Sequence, residues 1–181
     1  MNNLNYFLLL CIIILCFFMS ALSCNNDPKE FPDIIGTFTW ADWQNKSGWK
    51  DHSASDYIPD NGCVESLKIF VDGYNLNFEI YASNWCHIDC ALQVPRLIKF
   101  LKAAEVKESD IMLYGLNRHK TDPVDAMAKW SAIFPSEICY VPTLVIYIND
   151  SIVVGKVKCE TLDFPAWQCK IAEQVQSFVT N

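Results

Sequence analysis

The chain has 181 residues, of which 51% are apolar, and a formal net charge of −7. That is enough apolar side chain for one compact domain with appendages, and no Lys/Arg cluster of the kind that neutralises nucleic-acid phosphates stands out. Nine cysteines is a high count for this length and points to an oxidising compartment or to thiol or metal chemistry.

Residues 1–26 carry no charged side chain, and Tyr6–Met19 is continuously apolar. The run is shorter than the roughly 20 residues of a membrane span and suits the core of an export signal, although the basic segment that normally precedes such a core is missing. It is followed by "SALSC", ending at Cys24. With small Ser23 and Ala21 ahead of the cysteine, this resembles the lipobox of bacterial lipoproteins, where leucine usually stands at the position of Ala21. The resemblance implies a signal peptide over residues 1–23, a lipid on Cys24, and a polar, proline-containing tether over 24–36. The protein would then be exported and membrane-anchored, facing the periplasm of a Gram-negative bacterium. Cys11 and Cys16 would leave with the signal, so six cysteines remain besides Cys24.

Residues 37–181 form the expected domain. Its first part, 37–62, reads as an irregular extension with one short helix, and Trp40, Trp43 and Trp49 act as anchors onto the core. "CVESLKIF" (63–70) has helical spacing, with Asp60 or Asn61 as cap and Gly73 as stop. "NLNFEIYAS" (75–83) alternates as a strand, with Leu76, Phe78 and Ile80 on one face. A helix over 91–106 contains Pro95, which removes one backbone donor. Then come a strand at 110–117, a helix opened by Asp122-Pro123, and a hairpin of "PTLVIYIND" and "SIVVGKVKC" turning at Asn149-Asp150-Ser151. A final amphipathic helix spans 164–179. This order predicts an α/β fold, a three-layer sandwich with a mixed central sheet flanked by helices.

The chemistry concentrates in "WCHIDC", Trp85 to Cys90. Cys86 sits just past a strand at the start of a helix, where free N–H groups and the helix dipole favour a thiolate. Cys90 lies one turn further in and is expected to be more buried. That asymmetry suits disulfide exchange, in which the outer thiolate attacks and the inner thiol resolves the mixed disulfide. On an ideal helix, residues four apart have Cα atoms about 6.2 Å from each other, near the upper edge of disulfide geometry.

The segment 63–179 resembles the thioredoxin-like fold of thiol–disulfide oxidoreductases. The resemblance rests on Trp85 before the first cysteine, Pro95 five residues after the second, Val141-Pro142-Thr143 opening the penultimate strand, and the closing hairpin. It implies that Cys86 and Cys90 are catalytic and that Pro142 follows a cis peptide bond. It further implies that Trp85, Val141 and Pro142 contact an extended substrate segment. The partners would be protein thiols or disulfides and a redox donor or acceptor, with no resident cofactor.

The chain departs from that family in several ways. Strain at the Cys-x3-Cys spacing makes the bond easier to reduce and predicts a more oxidising couple than that of thioredoxin. Where thioredoxins bury an aspartate six residues before the first cysteine, this chain has Ile80; neighbouring Glu79 should point to the other face of the sheet. His87 offers a cation next to Cys86, and Asp89 should disfavour a thiolate at Cys90. Among the remaining cysteines, the expected pairs are Cys63–Cys139 and Cys159–Cys169, out of three connectivities, with buried free thiols as the alternative. A second functional reading is a copper-binding protein like the Sco chaperones, with Cys86, Cys90 and His119 as ligands; His52 and His87 are further candidates. A third is a non-catalytic thioredoxin-like binding domain. A peroxidase is disfavoured, because Ser83 stands where peroxiredoxins have threonine.

Overall fold

The computed structural model describes residues 32–47, 54–86, 89–159 and 166–180. The apolar run 6–19, Cys24, Trp49, His52 and His87 lie outside them. Among the described residues no helix is long and apolar enough to cross a membrane.

Eleven elements follow one another: β1 (Gly36–Phe38), α1 (Trp40–Ser47), α2 (Asn61–Gly73), β2 (Leu76–Ala82), α3 (Asp89–Ala103), a 3-10 turn (Glu108–Asp110), β3 (Ile111–Gly115), α4 (Val124–Ile133), β4 (Thr143–Ile148), β5 (Ile152–Lys158) and α5 (Ala166–Val179). The five strands form one mixed sheet in the order β1-β3-β2-β4-β5. Strand β2 runs parallel to β3 and antiparallel to β4, and the hairpin β4–β5 closes the far edge.

Alternation along β2 separates the two helical layers. Phe78, Ile80 and Ala82 share one face with Ile111, Leu113 and Gly115 of β3. Helix α5 lies on that side, its Gln174 directly over Gly155 of β5, which registers with Ile146 and hence with Phe78. Helices α2 and α3 join α5 there, through the Cys63–Cys169 disulfide and the edge-on contact of Phe100 with Trp167. The opposite face carries Glu79 and Tyr81, covered by Lys129 and Trp130 of α4. Helices, sheet and helix thus make a three-layer α/β sandwich. Leu67, Phe78, Ile80, Leu97, Phe100, Leu101, Leu113 and Leu144 are at most 1% exposed, each contributing about 1.5–3 kcal/mol of burial.

Local signals explain most boundaries. The Asp60 carboxylate accepts the Cys63 N–H at 2.9 Å and caps α2. Helix α3 runs through Pro95 and starts at Asp89, two residues before the expected start. It ends in a Schellman motif: Val106 N–H reaches the Leu101 carbonyl, Glu105 N–H reaches Lys102, and Glu105 takes φ 63°. At the hairpin tip, Asn149 and Asp150 both have positive φ, as a two-residue turn requires.

Two expectations need correction here. Asp122 does not cap α4: the helix begins after Pro123 without a side-chain cap, and the Asp122 carboxylate instead accepts from Asn117. Residues 36–38, read as the end of the tether and the start of an irregular extension, supply β1, antiparallel to β3. A three-residue strand is too short for period-two alternation to announce it. Its docking depends on Gly115, where any Cβ would run into the Ile34 carbonyl and the Trp43 ring. Trp40 and Trp43 are buried at 7% and 0% exposure, as anchors should be.

Candidate functional site

Strand β2 delivers the chain to the cysteine pair at one end of the sheet. Past Ala82 it turns through Ser83 and Asn84, both buried. Asn84 Oδ1 accepts the Ile34 N–H at 3.0 Å, and the Ala82 carbonyl accepts the Leu116 N–H at 2.8 Å. This segment is therefore held from both sides before the chain reaches Trp85 and Cys86.

Cys86 is partly exposed and Cys90 is fully buried, both as free thiols. Cys86 Sγ accepts the Cys90 backbone N–H at 3.4 Å, and the Cys86 carbonyl accepts the Ala91 N–H at 3.2 Å. The first sulfur thus occupies the place of a capping oxygen at the start of α3, where unpaired donors gather. It also lies 4.0 Å from the Val141 carbonyl oxygen, next to the cis Val141-Pro142 bond. The chain is fixed there by the Cys159 N–H donating to the Pro142 carbonyl at 2.9 Å.

The two thiols differ electrostatically in the way their positions require. The Cys86 thiol is lowered from 9.0 to about 7, chiefly by the hydrogen bond from the Cys90 side chain and secondarily by backbone N–H groups, against the opposing effect of burial. Burial raises the Cys90 thiol well above its ordinary value, and the neighbouring Cys86 sulfur adds to the rise. The Asp89 charge raises Cys86, against the hydrogen bonds that lower it. Ser83 Oγ lies 3.9 Å from Cys90 Sγ, a contact that no spacing in the sequence reveals.

Glu79 faces away from the pair, as its place in the β2 alternation requires. Its carboxylate accepts from Lys129, from Tyr114 at 3.1 Å and from Tyr81 at 3.4 Å on the α4 side. Trp85 is half-buried, with an indole N–H that finds no partner among the described residues.

The remaining cysteines are arranged differently from the expected pairs. Cys63 bonds to Cys169, with Cα atoms 4.8 Å apart, because α2 and α5 bring their first turns together. Cys139 and Cys159 are free and buried. Burial pushes each up to about 12, so Cys139 is not an accessible accessory thiol. His119 is exposed in the turn after β3. Among the described residues, one set of three His, Cys, Asp or Glu side chains is close enough to share a cation: Asp60, Cys63 and Cys169. The set Cys86, Cys90 and His119 is not brought together in this way.

No protein-family model matches the chain. No curated protein matches it either. Among solved structures, a protein of unknown function from Pseudomonas aeruginosa shares 12% identity and a TM-score of 0.43, over 77% of this chain and 83% of that one. An HIV epitope-scaffold shares 12% identity and a TM-score of 0.46, over 77% and 86%.

Proposed function

We propose that this protein is a thioredoxin-like thiol–disulfide oxidoreductase that acts on protein cysteines in an exported compartment, tethered through a lipid on Cys24. The observation that carries the reading is the asymmetry of the pair: a partly exposed, acidified Cys86, 4.0 Å from the Val141 carbonyl oxygen, backed by a fully buried Cys90. A structural bridge has no use for an acidified, accessible sulfur, whereas a nucleophile requires one.

In the reductive direction, the Cys86 thiolate attacks one sulfur of a substrate disulfide. The substrate S–S bond breaks, a Cys86–substrate mixed disulfide forms, and a substrate thiolate leaves. Cys90 then loses its proton and attacks Cys86 Sγ. The mixed disulfide breaks, the Cys86–Cys90 bond forms, and the second substrate sulfur departs as a thiolate. The first substrate thiolate, released next to the pair, is a suitable acceptor for the Cys90 proton. No carboxylate on this side of the sheet is then needed, in keeping with Glu79 facing α4. Ser83 Oγ sits where it can hydrogen-bond the Cys90 sulfur as charge develops. Two electrons pass from the pair to the substrate, and an exported dithiol partner restores the reduced state.

The Val141 carbonyl lies next to Cys86 in a segment where Val141 is buried and Tyr140 is exposed, and an extended substrate strand would align its backbone along this segment entering β4. Insulin disulfide reduction by wild type and by Cys86→Ser tests the reading. Turnover that depends on Cys86 is expected; equal turnover by the two proteins, or none by either, rejects it.

A further inference from the structure

The second sulfur pair of the chain lies in a different setting. Cys63 and Cys169 occupy the first turns of α2 and α5, and their bond opens onto a cleft of about 330 Å³. The Asp60 carboxylate stands at the same place, with its oxygen and the two sulfurs all within 4.8 Å of one another. One Asp60 oxygen is used to cap α2, and the carboxylate retains a second. Glu173 and Ser66 line the same cleft, and among the described residues the lining contains no lysine, arginine or histidine. Reduction of the disulfide would therefore leave two thiols beside a carboxylate, with a second carboxylate nearby and no cation among the described lining residues to balance them.

We propose that the reduced form of this pair is a metal site, with Asp60, Cys63 and Cys169 holding one zinc ion. Reduction comes first: a dithiol gives two electrons and two protons to the Cys63–Cys169 bond, which becomes two thiols, and the dithiol becomes a disulfide. Zinc then displaces the two thiol protons and binds both thiolates and one carboxylate oxygen. Zn–S bonds of about 2.3 Å and a Zn–O bond of about 2.0 Å place tetrahedral donor atoms roughly 3.5–3.8 Å apart. That is within the span the three donors already occupy. Two thiolates with one carboxylate suit a borderline-soft divalent ion. The fourth position faces the cleft, open to water. A disulfide that accepts the two electrons, and becomes a dithiol, re-forms the Cys63–Cys169 bond and releases the ion, so the α2–α5 junction alternates between a covalent and a metal clamp.

Cobalt(II) is the probe. The full chain carrying Cys86→Ser and Cys90→Ser is reduced with a phosphine, freed of reductant, and titrated. A sulfur-to-cobalt charge-transfer band saturating at one equivalent is expected, absent from the oxidised protein and lost when Cys63→Ser and Cys169→Ser are added. Asp60→Asn keeps a good helix cap and is expected to weaken binding about tenfold or more. No band, a band that survives removal of both sulfurs, or an unchanged affinity in Asp60→Asn overturns the proposal. If the added serine substitutions prevent folding, the Asp60→Asn affinity decides. Because Cys86 and Cys90 are absent throughout, the outcome is independent of the exchange reaction proposed for them.

Discussion

Replacing Cys90 by alanine should deactivate Cys86 without touching it. The chief cause of the lowered Cys86 value is the Cys90 side chain, with backbone N–H groups of Cys90 and Asp89 as smaller contributors. At about 7, against an ordinary 9.0, Cys86 is about half thiolate at pH 7, whereas an unshifted thiol at 9.0 is only about 1% ionised. A more acidic thiolate is also a weaker nucleophile. With a Brønsted coefficient of 0.4–0.5, two pH units cost roughly six- to tenfold in intrinsic reactivity. The net advantage at pH 7 is then about five- to eightfold over a free cysteine. Cys90→Ala keeps the backbone donors and loses the side-chain donor, so the midpoint should lie between the two values and the thiolate fraction at pH 7 should drop severalfold. The assay is the pH dependence of iodoacetamide alkylation at Cys86, read by mass spectrometry of its peptide in both proteins. A wild-type midpoint near 9 would refute the reasoning. A midpoint near 7 that Cys90→Ala leaves in place would move the cause from the thiol to the helix start.

Three other outcomes are expected. Removing the Cys63–Cys169 bond, which closes a loop with a sequence separation of 106, should lower stability by about 2–5 kcal/mol, read as a shift in urea midpoint between wild type and Cys63→Ser/Cys169→Ser without metal. Glu79→Gln should destabilise the fold, because a buried carboxylate that accepts from Lys129 and Tyr114 loses its charge-assisted bonds, while insulin reduction per folded molecule stays as in wild type; a large loss of turnover would place Glu79 in the chemistry instead. For pH, the folded Cys159 thiol is raised to about 12, above its unfolded value, so its contribution is fully present below about pH 8.5–9 and is lost as pH rises toward 12. The urea midpoint should fall across that window, and Cys159→Ala, after a constant offset for the smaller side chain, should fall less steeply; parallel curves would contradict the assignment.

Residue order alone made the principal elements legible. Period-two alternation in 75–83 placed Leu76, Phe78 and Ile80 on one face and turned Glu79 to the other. The helical spacing after Cys63 and Cys90, and the turn residues Asn149 and Asp150, marked the remaining framework. These signals survive in one dimension because burial of one face leaves a local periodic trace. The exposed-outer, buried-inner arrangement of Cys86 and Cys90 was readable too, since Cys86 precedes helix α3 and Cys90 lies in its first turn.

What tertiary structure alone decided is which distant groups meet. Nothing in the spacing of Cys63, Cys139, Cys159 and Cys169 distinguishes their pairings; Cys63 finds Cys169 because α5 packs its first turn against that of α2, which depends on the whole sandwich closing. The addition of β1 to the sheet rests on the missing side chain of Gly115 and on Trp43, not on any pattern within three residues. The closeness of Ser83 to Cys90, and of Asp60 to two sulfurs, arises in the same way. A sequence records which faces avoid water, while the meeting of polar atoms is fixed by packing, where a difference of a few ångströms separates a bond from no contact at all.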